Sequence, residues 1–120
     1  MGARLGEILR VDHAGEYGAV QIYRAQAAVF ARAPGKSALS ARMKTMQGEE
    51  AVHLDRFETL LNDHRVRPTV LLPLWRLAAQ ALGTGTALMG EKAAHACTEA
   101  VESVIGQHYA DQVAELQDRD

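Results

Sequence analysis

The pair Pro34–Gly35 separates two long stretches of helix-like sequence, and this arrangement constrains the fold more than any other feature of the chain. Before the pair, apolar residues recur at helical spacing over about 4–33. After it, the same spacing continues over about 37–63, with Ser37 as the candidate N-cap. Two such helices joined by a short turn lie antiparallel. The sequence therefore predicts a helical hairpin over the first half of the chain.

The second half has the same helical character. The bridge 64–69 ends the second helix, because Pro68 disfavours a helical conformation in the residue before it. A shorter apolar helix is expected over about 70–82, then a break at Gly83–Gly85, then a last helix from about Thr86 onwards. Alanine fills 21 of the 120 positions and no alternating strand pattern competes. Residues 1–120 are predicted to form one all-α domain, with three long helices and one short one.

Charge and cysteine content exclude several classes of protein. The net charge of −2 gives no general attraction to nucleic acid, so no nucleic-acid partner is expected. The lone Cys97 excludes an intrachain disulfide framework and favours an intracellular protein, with the thiol buried as a small apolar side chain. The first residues lack the apolar core of a signal peptide, and no transit peptide is apparent. The apolar stretch at 69–90 is interrupted too often to be read as a membrane span.

Glu50 and His53 form the chemical motif of the chain. They are three residues apart and share one face of the predicted second helix. A Glu-x-x-His pair supplies ligands in carboxylate-bridged di-iron bundles, but a solvent-exposed helix also satisfies it by chance. Glu16 lies 18 residues before Pro34 and Glu50 lies 16 residues after it, which predicts similar heights in the hairpin. Carboxylates that face a core at matched heights favour a cation site.

A weak internal repeat links the first and last helices. Three residues recur with an offset of 86 positions, and in each copy a tyrosine follows a glutamate by two helical turns. This register fits a bundle built from two helical hairpins. The corresponding residues are Glu16, Tyr23 and Gln26 in the first copy and Glu102, Tyr109 and Gln112 in the second.

Several strings of the sequence resemble the demethoxyubiquinone hydroxylase family, and together they cover nearly the whole chain. They are RVDHAGEYGA at 10–19, EAVHLDRF at 50–57, RVRPTVLLPLW at 65–75, ALGTGTALMG at 81–90, ACTEAVE at 96–102 and HY at 108–109. The resemblance implies a ferritin-like di-iron monooxygenase of ubiquinone biosynthesis. It assigns iron-ligand positions to Glu16, Glu50, His53 and Glu102. It also places His108 and Tyr109 beside the metals, where they would pass electrons or orient the quinone ring.

The implied reaction hydroxylates the ring of a demethoxyubiquinone-type polyprenyl quinone. It uses two iron ions and O2, with NADH or a reduced quinone as the electron donor. Such a substrate implies peripheral association with the cytoplasmic side of a bacterial inner membrane, through residues 70–90. From the residues alone a core helix is the favoured interpretation of this segment, and the resemblance reverses that preference in favour of the membrane interface.

The sequence departs from the family pattern in one respect, since it contains no second Glu-x-x-His pair. Helical arithmetic from Glu102 places the missing pair near position 140, so we expect an incomplete ferritin-like bundle with four of six ligands. Two alternatives to the enzyme follow. One is a non-catalytic truncated paralogue that binds quinone or metal, and the other is a dimeric bundle. A homo-oligomer or accessory proteins of the ubiquinone pathway are possible partners.

Three further histidines carry weaker signals. Asp12–His13 is predicted to serve a capping or surface role rather than to bind metal. His95 shares a helical face with Glu99 and Glu102, but a surface or supporting role is preferred to an extra metal contact. His64 and the C-terminal residues 118–120 are predicted to be solvated.

Overall fold

The computed structural model describes residues 2–118, which form four helices and contain no strand. The helices are α1 (Gly2–Arg32), α2 (Ser37–Asp63), α3 (Leu72–Leu88) and α4 (Glu91–Asp118). The predicted all-α helical bundle is confirmed. Helix α1 is central, because it packs extensively against α2 and α3 and also contacts α4. Within the described residues, the backbones of α2 and α4 stay apart.

The first hairpin forms as predicted, with one error at the start of α2. Gly35 has a φ of 73°, a left-handed conformation that glycine adopts without strain, and the chain reverses there. Ser37 is not the N-cap. Lys36 occupies that position without a side-chain cap hydrogen bond, and its carbonyl accepts the N–H of Ser40. The helix therefore begins one residue earlier than the capping preference of serine indicated.

The predicted break at Gly83–Gly85 is wrong. Helix α3 runs through both glycines to Leu88, and the chain breaks at Gly90, which has a φ of 117°. Gly83 serves close packing instead, because a Cβ there would lie 2.4 Å from the carbonyl oxygen of Ile22 on α1. A glycine that indicates a helix break in the sequence can thus instead allow two helix backbones to pack in close contact.

Two neighbouring clusters of small and medium side chains form the apolar core. The first contains Tyr23 and Cys97, and Cys97 is buried as predicted. The second contains Phe30 of α1 and Met43 of α2. Each cluster combines residues of α1 with residues of helices that lie on different sides of it. The second half of α1 is therefore buried in the core. The full membership is Ala19, Ile22, Tyr23, Ala79 and Cys97 in the first cluster and Ala27, Phe30, Met43, Ala87 and Ala94 in the second.

The capping or surface role predicted for Asp12–His13 is wrong. Both side chains are buried, Asp12 at 7% exposure and His13 at 1%. Helix α1 begins at Gly2, so no helix terminus exists at position 12 for these residues to cap. Asp12 accepts a hydrogen bond from Gln112 of α4, and His13 lies 3.4 Å from the carboxylate of Glu58 on α2.

Helix α3 presents an apolar face that the other described helices leave uncovered. This finding contradicts the core interpretation of the 70–90 segment. Ala79, Gly83 and Ala87 are buried against the rest of the bundle, whereas the large apolar side chains point outward. The exposed ones are Leu74, Trp75, Leu77, Leu82 and Leu88 on α3, together with Val70, Leu71 and Met89 just outside its ends. Among the residues the structure describes, no helix has the length and apolarity needed to cross a membrane.

Candidate metal centre

Glu16, Glu50 and His53 converge midway along the α1–α2 hairpin. One ligand atom from each residue lies within 4.8 Å of the others. The two carboxylates are at the matched heights that their distances from Pro34 predicted. Glu16 is 1% exposed and Glu50 is 8% exposed, while His53 lies half exposed at the rim. The hairpin therefore places two buried acidic groups and an imidazole together, rather than on a solvated face.

The free carboxylate oxygens of this cluster point to a cation. Oε2 of Glu16 and Oε2 of Glu50 are buried, and neither has a hydrogen-bond partner among the described residues. Nδ1 of His53 lies 3.7 Å from both oxygens. Metal–ligand bonds of about 2.0–2.2 Å bring two ligands of one ion to within about 4.4 Å of each other, so this spacing fits a shared divalent cation. Buried acceptors without donors are costly unless something positive joins them.

The electrostatics of Glu50 agree with this interpretation. Burial, together with the neighbouring carboxylates of Glu16 and Glu102, raises the pKa of Glu50 to about 9. Glu102 of α4 therefore lies close enough to interact with Glu50, although its own side chain is exposed. Glu102 is not among the residues whose ligand atoms lie within 4.8 Å of one another, and it approaches the cluster from α4 on the side of Glu50. A divalent cation would relieve the repulsion that contributes to the raised pKa of Glu50.

Two reciprocal tyrosine–glutamate hydrogen bonds connect α1 with α4 at this level. The hydroxyl of Tyr23 donates to Oε1 of Glu102 at 2.7 Å, and the hydroxyl of Tyr109 donates to Oε1 of Glu16. Each bond joins one copy of the internal repeat to the other, with the helices antiparallel. Burial, followed by the hydrogen bond to glutamate, raises the pKa of both tyrosines above the usual value, so both remain protonated donors.

The glutamine members of the repeat do not follow this symmetry. Gln112 donates to Asp12 of α1 at 2.7 Å. Gln26 instead donates to Thr86 of α3 at 3.2 Å and to the carbonyl of Ala94. Burial raises the pKa of Asp12 despite the hydrogen bond from Gln112, so a second acidic group near the centre is also held in an environment that disfavours its charge.

His108 and Tyr109 point to different places, as neighbours on a helix do. Tyr109 reaches Glu16 and stacks on the ring of Phe57, with the ring centres 6.1 Å apart. His108 is exposed and faces an apolar cavity of about 410 Å³ between α1, α3 and α4. Its lining includes Val11, Ala14, Gly15, Leu71, Trp75, Val104 and Ile105.

His95 and His64 lie outside the centre. Nε2 of His95 is 3.5 Å from a carboxylate oxygen of Glu91, one turn before it on α4, and this surface contact agrees with the preferred prediction. His64 is exposed, as predicted. The side chains of 118–120 fall outside the described residues.

Sequence reasoning missed two residues that shape the site. The sequence identified Tyr23 only as a member of the internal repeat. Its position two helical turns from Glu16 was the signal that could have marked it as a site residue. Trp75 donates its indole N–H to the carbonyl of Ala14 at 2.8 Å and covers Gly18, where a Cβ would lie 2.8 Å from the ring. No spacing rule in the sequence marks that contact.

The fold and the cluster together define a class, a helical bundle with a carboxylate–histidine centre suited to a divalent metal. Residues 3–120 match the family described as ubiquinone biosynthesis protein COQ7, and the chain belongs to that family.

Named relatives agree with this assignment. The chain is 52% identical over 116 residues to a 3-demethoxyubiquinol 3-hydroxylase of Rhodospirillum rubrum, covering 97% of this chain and 53% of the relative. It is 47% identical over 118 residues to the human mitochondrial NADPH-dependent 3-demethoxyubiquinone 3-hydroxylase, covering 98% and 52%. It is also 47% identical over 115 residues to the mitochondrial 5-demethoxyubiquinone hydroxylase of Saccharomyces cerevisiae, covering 95% and 48%. The chain thus spans about half the length of these curated relatives.

Proposed function

We propose that this chain carries the metal-binding and quinone-binding parts of a hydroxylase of ubiquinone biosynthesis, which adds a hydroxyl group to the ring of a demethoxyubiquinone-type polyprenyl quinone. The observation that supports it most is the pair of free, buried carboxylate oxygens of Glu16 and Glu50 beside His53. Family membership supports the substrate class, because the named relatives are demethoxyubiquinone or demethoxyubiquinol hydroxylases.

In this proposal, Glu16, Glu50, His53 and Glu102 are the iron ligands that the chain provides. Mixed carboxylate and imidazole donors are typical of di-iron bundle sites. Bound iron would supply the activation of O2, with electrons from NADH or a reduced quinone. The protein's own contribution is to hold these donors in place, and the hydroxyl of Tyr109 does so for Glu16 by binding one of its two oxygens.

The cavity faced by His108 is the proposed site for the quinone ring. Its walls are mostly apolar, and it opens beside the residues of α4 that lead to Tyr109 and the carboxylates. Val104 and Ile105 would exclude water from one side, and the indole of Trp75, which is hydrogen-bonded to the carbonyl of Ala14, would do so from the other. His108 would orient the ring by hydrogen bonding to a quinone oxygen, which is the role of the few polar groups in such pockets.

The exposed face of α3 is the proposed membrane contact, at the cytoplasmic side of a bacterial inner membrane. Leu74 and Leu77 are about two-thirds exposed there. Arg65, Arg67 and Arg76 are exposed around the same face. Arginines beside an interfacial apolar helix bind anionic headgroups, and the cytoplasmic leaflet carries that charge. A polyprenyl substrate would reach the cavity through this face, because Leu71 and Trp75 belong to both.

Vesicle binding tests the membrane contact. The protein is expected to sediment with vesicles of phosphatidylethanolamine and phosphatidylglycerol, and Leu74→Glu is expected to weaken this binding while Lys44→Glu on α2 leaves it unchanged. Equal binding by the Leu74→Glu variant would contradict the proposal. Self-association without lipid that Leu74→Glu abolishes would instead assign the face to a second copy of the chain.

Product analysis tests the reaction. Full-length protein that contains this chain, loaded with iron and supplied with a demethoxyubiquinone, O2 and NADH or a reduced quinone, is expected to form the hydroxylated quinone, detected by mass spectrometry. Glu50→Ala should abolish product, whereas Glu49→Ala, one residue away and exposed, should not. Unchanged turnover in Glu50→Ala would refute the ligand assignment. Tight quinone binding without iron or turnover would favour the non-catalytic alternative.

A further inference from the structure

Tyr23 is the most completely buried large side chain at the centre, with an exposure of 0%. Its ring packs in the core cluster with Ala19, Ala79 and Cys97, so it has little freedom to move. Its hydroxyl donates to Oε1 of Glu102 at 2.7 Å. Glu102 is exposed on α4, and a free glutamate side chain there would sample several rotamers. The hydroxyl of Tyr23, which is fixed in the core, therefore restricts the side chain of Glu102, which would otherwise be mobile at the surface.

The second tyrosine–glutamate pair, Tyr109 and Glu16, shows the effect of such a hydrogen bond. Tyr109 binds Oε1 of Glu16 and leaves Oε2 facing His53 at 3.7 Å. Tyr23 binds Oε1 of Glu102 in the same way, and this hydrogen bond leaves the second carboxylate oxygen of Glu102 available. In both pairs one helix supplies the acid and the other the tyrosine. The two bonds thus fix both acids and the separation of α1 and α4 at one level.

We propose that Tyr23 is a positioning residue of the metal centre, which fixes one oxygen of Glu102 so that the other faces the cluster. This inference rests on the proposed metal centre. A hydrogen bond from a second residue to a ligating carboxylate orients it and lowers the entropy lost on metal binding. The phenol suits this role because it donates a hydrogen bond without adding a positive charge that would compete with the cation.

A cobalt titration separates this role from a packing role. Co²⁺ is added to the metal-free protein, and affinity and the visible d–d absorption are measured for wild type, Tyr23→Phe and Tyr17→Phe. In Tyr23→Phe the aromatic ring keeps its packing and only the hydroxyl is lost. This variant is expected to bind Co²⁺ about 10-fold more weakly, the lower end of the usual range for such supporting residues, with an altered d–d spectrum. Tyr17→Phe, the same change on the same helix, should match wild type.

The same titration in a Glu102→Ala background shows whether Tyr23 acts through Glu102. Once Glu102 is gone, adding Tyr23→Phe should change Co²⁺ affinity less than about 2-fold, because coupled residues are not additive. An equal loss in both backgrounds, or no loss in either, would refute the positioning role while leaving the metal centre intact. Failure of wild type to bind Co²⁺ would refute the proposed centre and this inference with it.

Discussion

The two sides of α1 that face α3 and α4 are built in different ways. Against α3 the contact is made at backbone distance, with Gly83 beside the carbonyl of Ile22 and the indole of Trp75 over Gly18. Against α4, beyond the small core residues Ala94 and Cys97, the contact is made by the ends of long polar side chains, including Tyr23 to Glu102 and the paired guanidinium and carboxylate groups of Arg4 and Glu115. One side is close-packed, and the other is spaced by hydrogen bonds.

The close-packed contact with α3 mainly stabilises the fold, whereas the contact with α4 mainly forms the candidate site. Close packing against α3 gives α1 a fixed position, which the site needs. The spacing against α4 leaves room for three carboxylates and an apolar cavity, but it buries acidic groups such as Glu50 and Asp12 where their charge is disfavoured. Such groups destabilise a fold that has no ligand to match them. We therefore expect substitutions on the two sides to change stability in opposite directions.

Gly83→Ala is expected to give the largest effect, by breaking the close-packed side. Its Cβ would lie 2.4 Å from the carbonyl oxygen of Ile22 and 2.9 Å from the Cβ of Ala25, so the helix backbones must move apart. We expect a loss of about 3 kcal/mol in the free energy of unfolding, at the upper end of usual overpacking costs. Urea unfolding followed by circular dichroism measures it.

Gly85→Ala is the matched control, two residues along the same helix. Nothing lies within 4 Å of its would-be Cβ, so the substitution should stabilise the chain by about 1 kcal/mol through helix propensity. Equal effects at the two glycines would show that α1 and α3 are not in close contact.

Glu50→Gln tests the side of α1 that is spaced by hydrogen bonds, through the pH dependence of the free energy of unfolding. The pKa of Glu50 is raised to about 9 from an ordinary value of 4.5, so the folded state binds more protons than the unfolded state between these values. The stability of the metal-free wild type should therefore fall as the pH rises through this range. The Gln variant should show a flatter profile and be more stable by about 2 kcal/mol near pH 9, the cost of an uncompensated buried polar group.

Urea midpoints in the presence of a chelator, measured near pH 5 and near pH 9, check this prediction. Glu49→Gln should follow the wild-type profile, because Glu49 is exposed. A wild-type stability that rises toward pH 9, with no difference for Glu50→Gln, would mean that Glu50 is not held in a repulsive buried environment.

Gly18→Ala should give the smallest change in the free energy of unfolding, together with a change in tryptophan fluorescence. A Cβ at position 18 would lie 2.8 Å from the indole nitrogen of Trp75, a side chain that can rotate away. We expect a loss of about 1 kcal/mol, the low end of overpacking costs. Because Trp75 is the single tryptophan, its displacement should appear as a red shift of the fluorescence emission. Gly15→Ala, with only an ordinary contact to Ile105, should leave the emission unchanged.

The sequence predicted the parts of this molecule that depend on spacing along one helix or across one turn. The hairpin about Pro34–Gly35 and the matched heights of Glu16 and Glu50 follow from helical rise alone. Gly83 was misinterpreted because a glycine is favoured both where a helix ends and where two helices pack closely, so the residue type alone does not distinguish the two. The burial of His13 was missed because its environment is set by α2, which no local pattern around position 13 reports.

The ligand types of the candidate metal centre were predictable from the sequence, but its supporting contacts were not. A Glu-x-x-His pair signals donors on one face. The tyrosine bonds depend on how α1 and α4 cross, and only the offset of 86 residues indicated that crossing.

The most direct test of the account is the metal content of the protein after loading with Fe²⁺ under anaerobic conditions and exhaustive dialysis, measured by plasma mass spectrometry. Wild type and Glu49→Ala are expected to retain stoichiometric iron, while Glu50→Ala and His53→Ala lose it and keep their helical circular dichroism. Folded wild-type protein that emerges free of iron, or a Glu50→Ala variant that retains as much iron as wild type, would contradict the central claim that these carboxylates and this histidine form a metal centre.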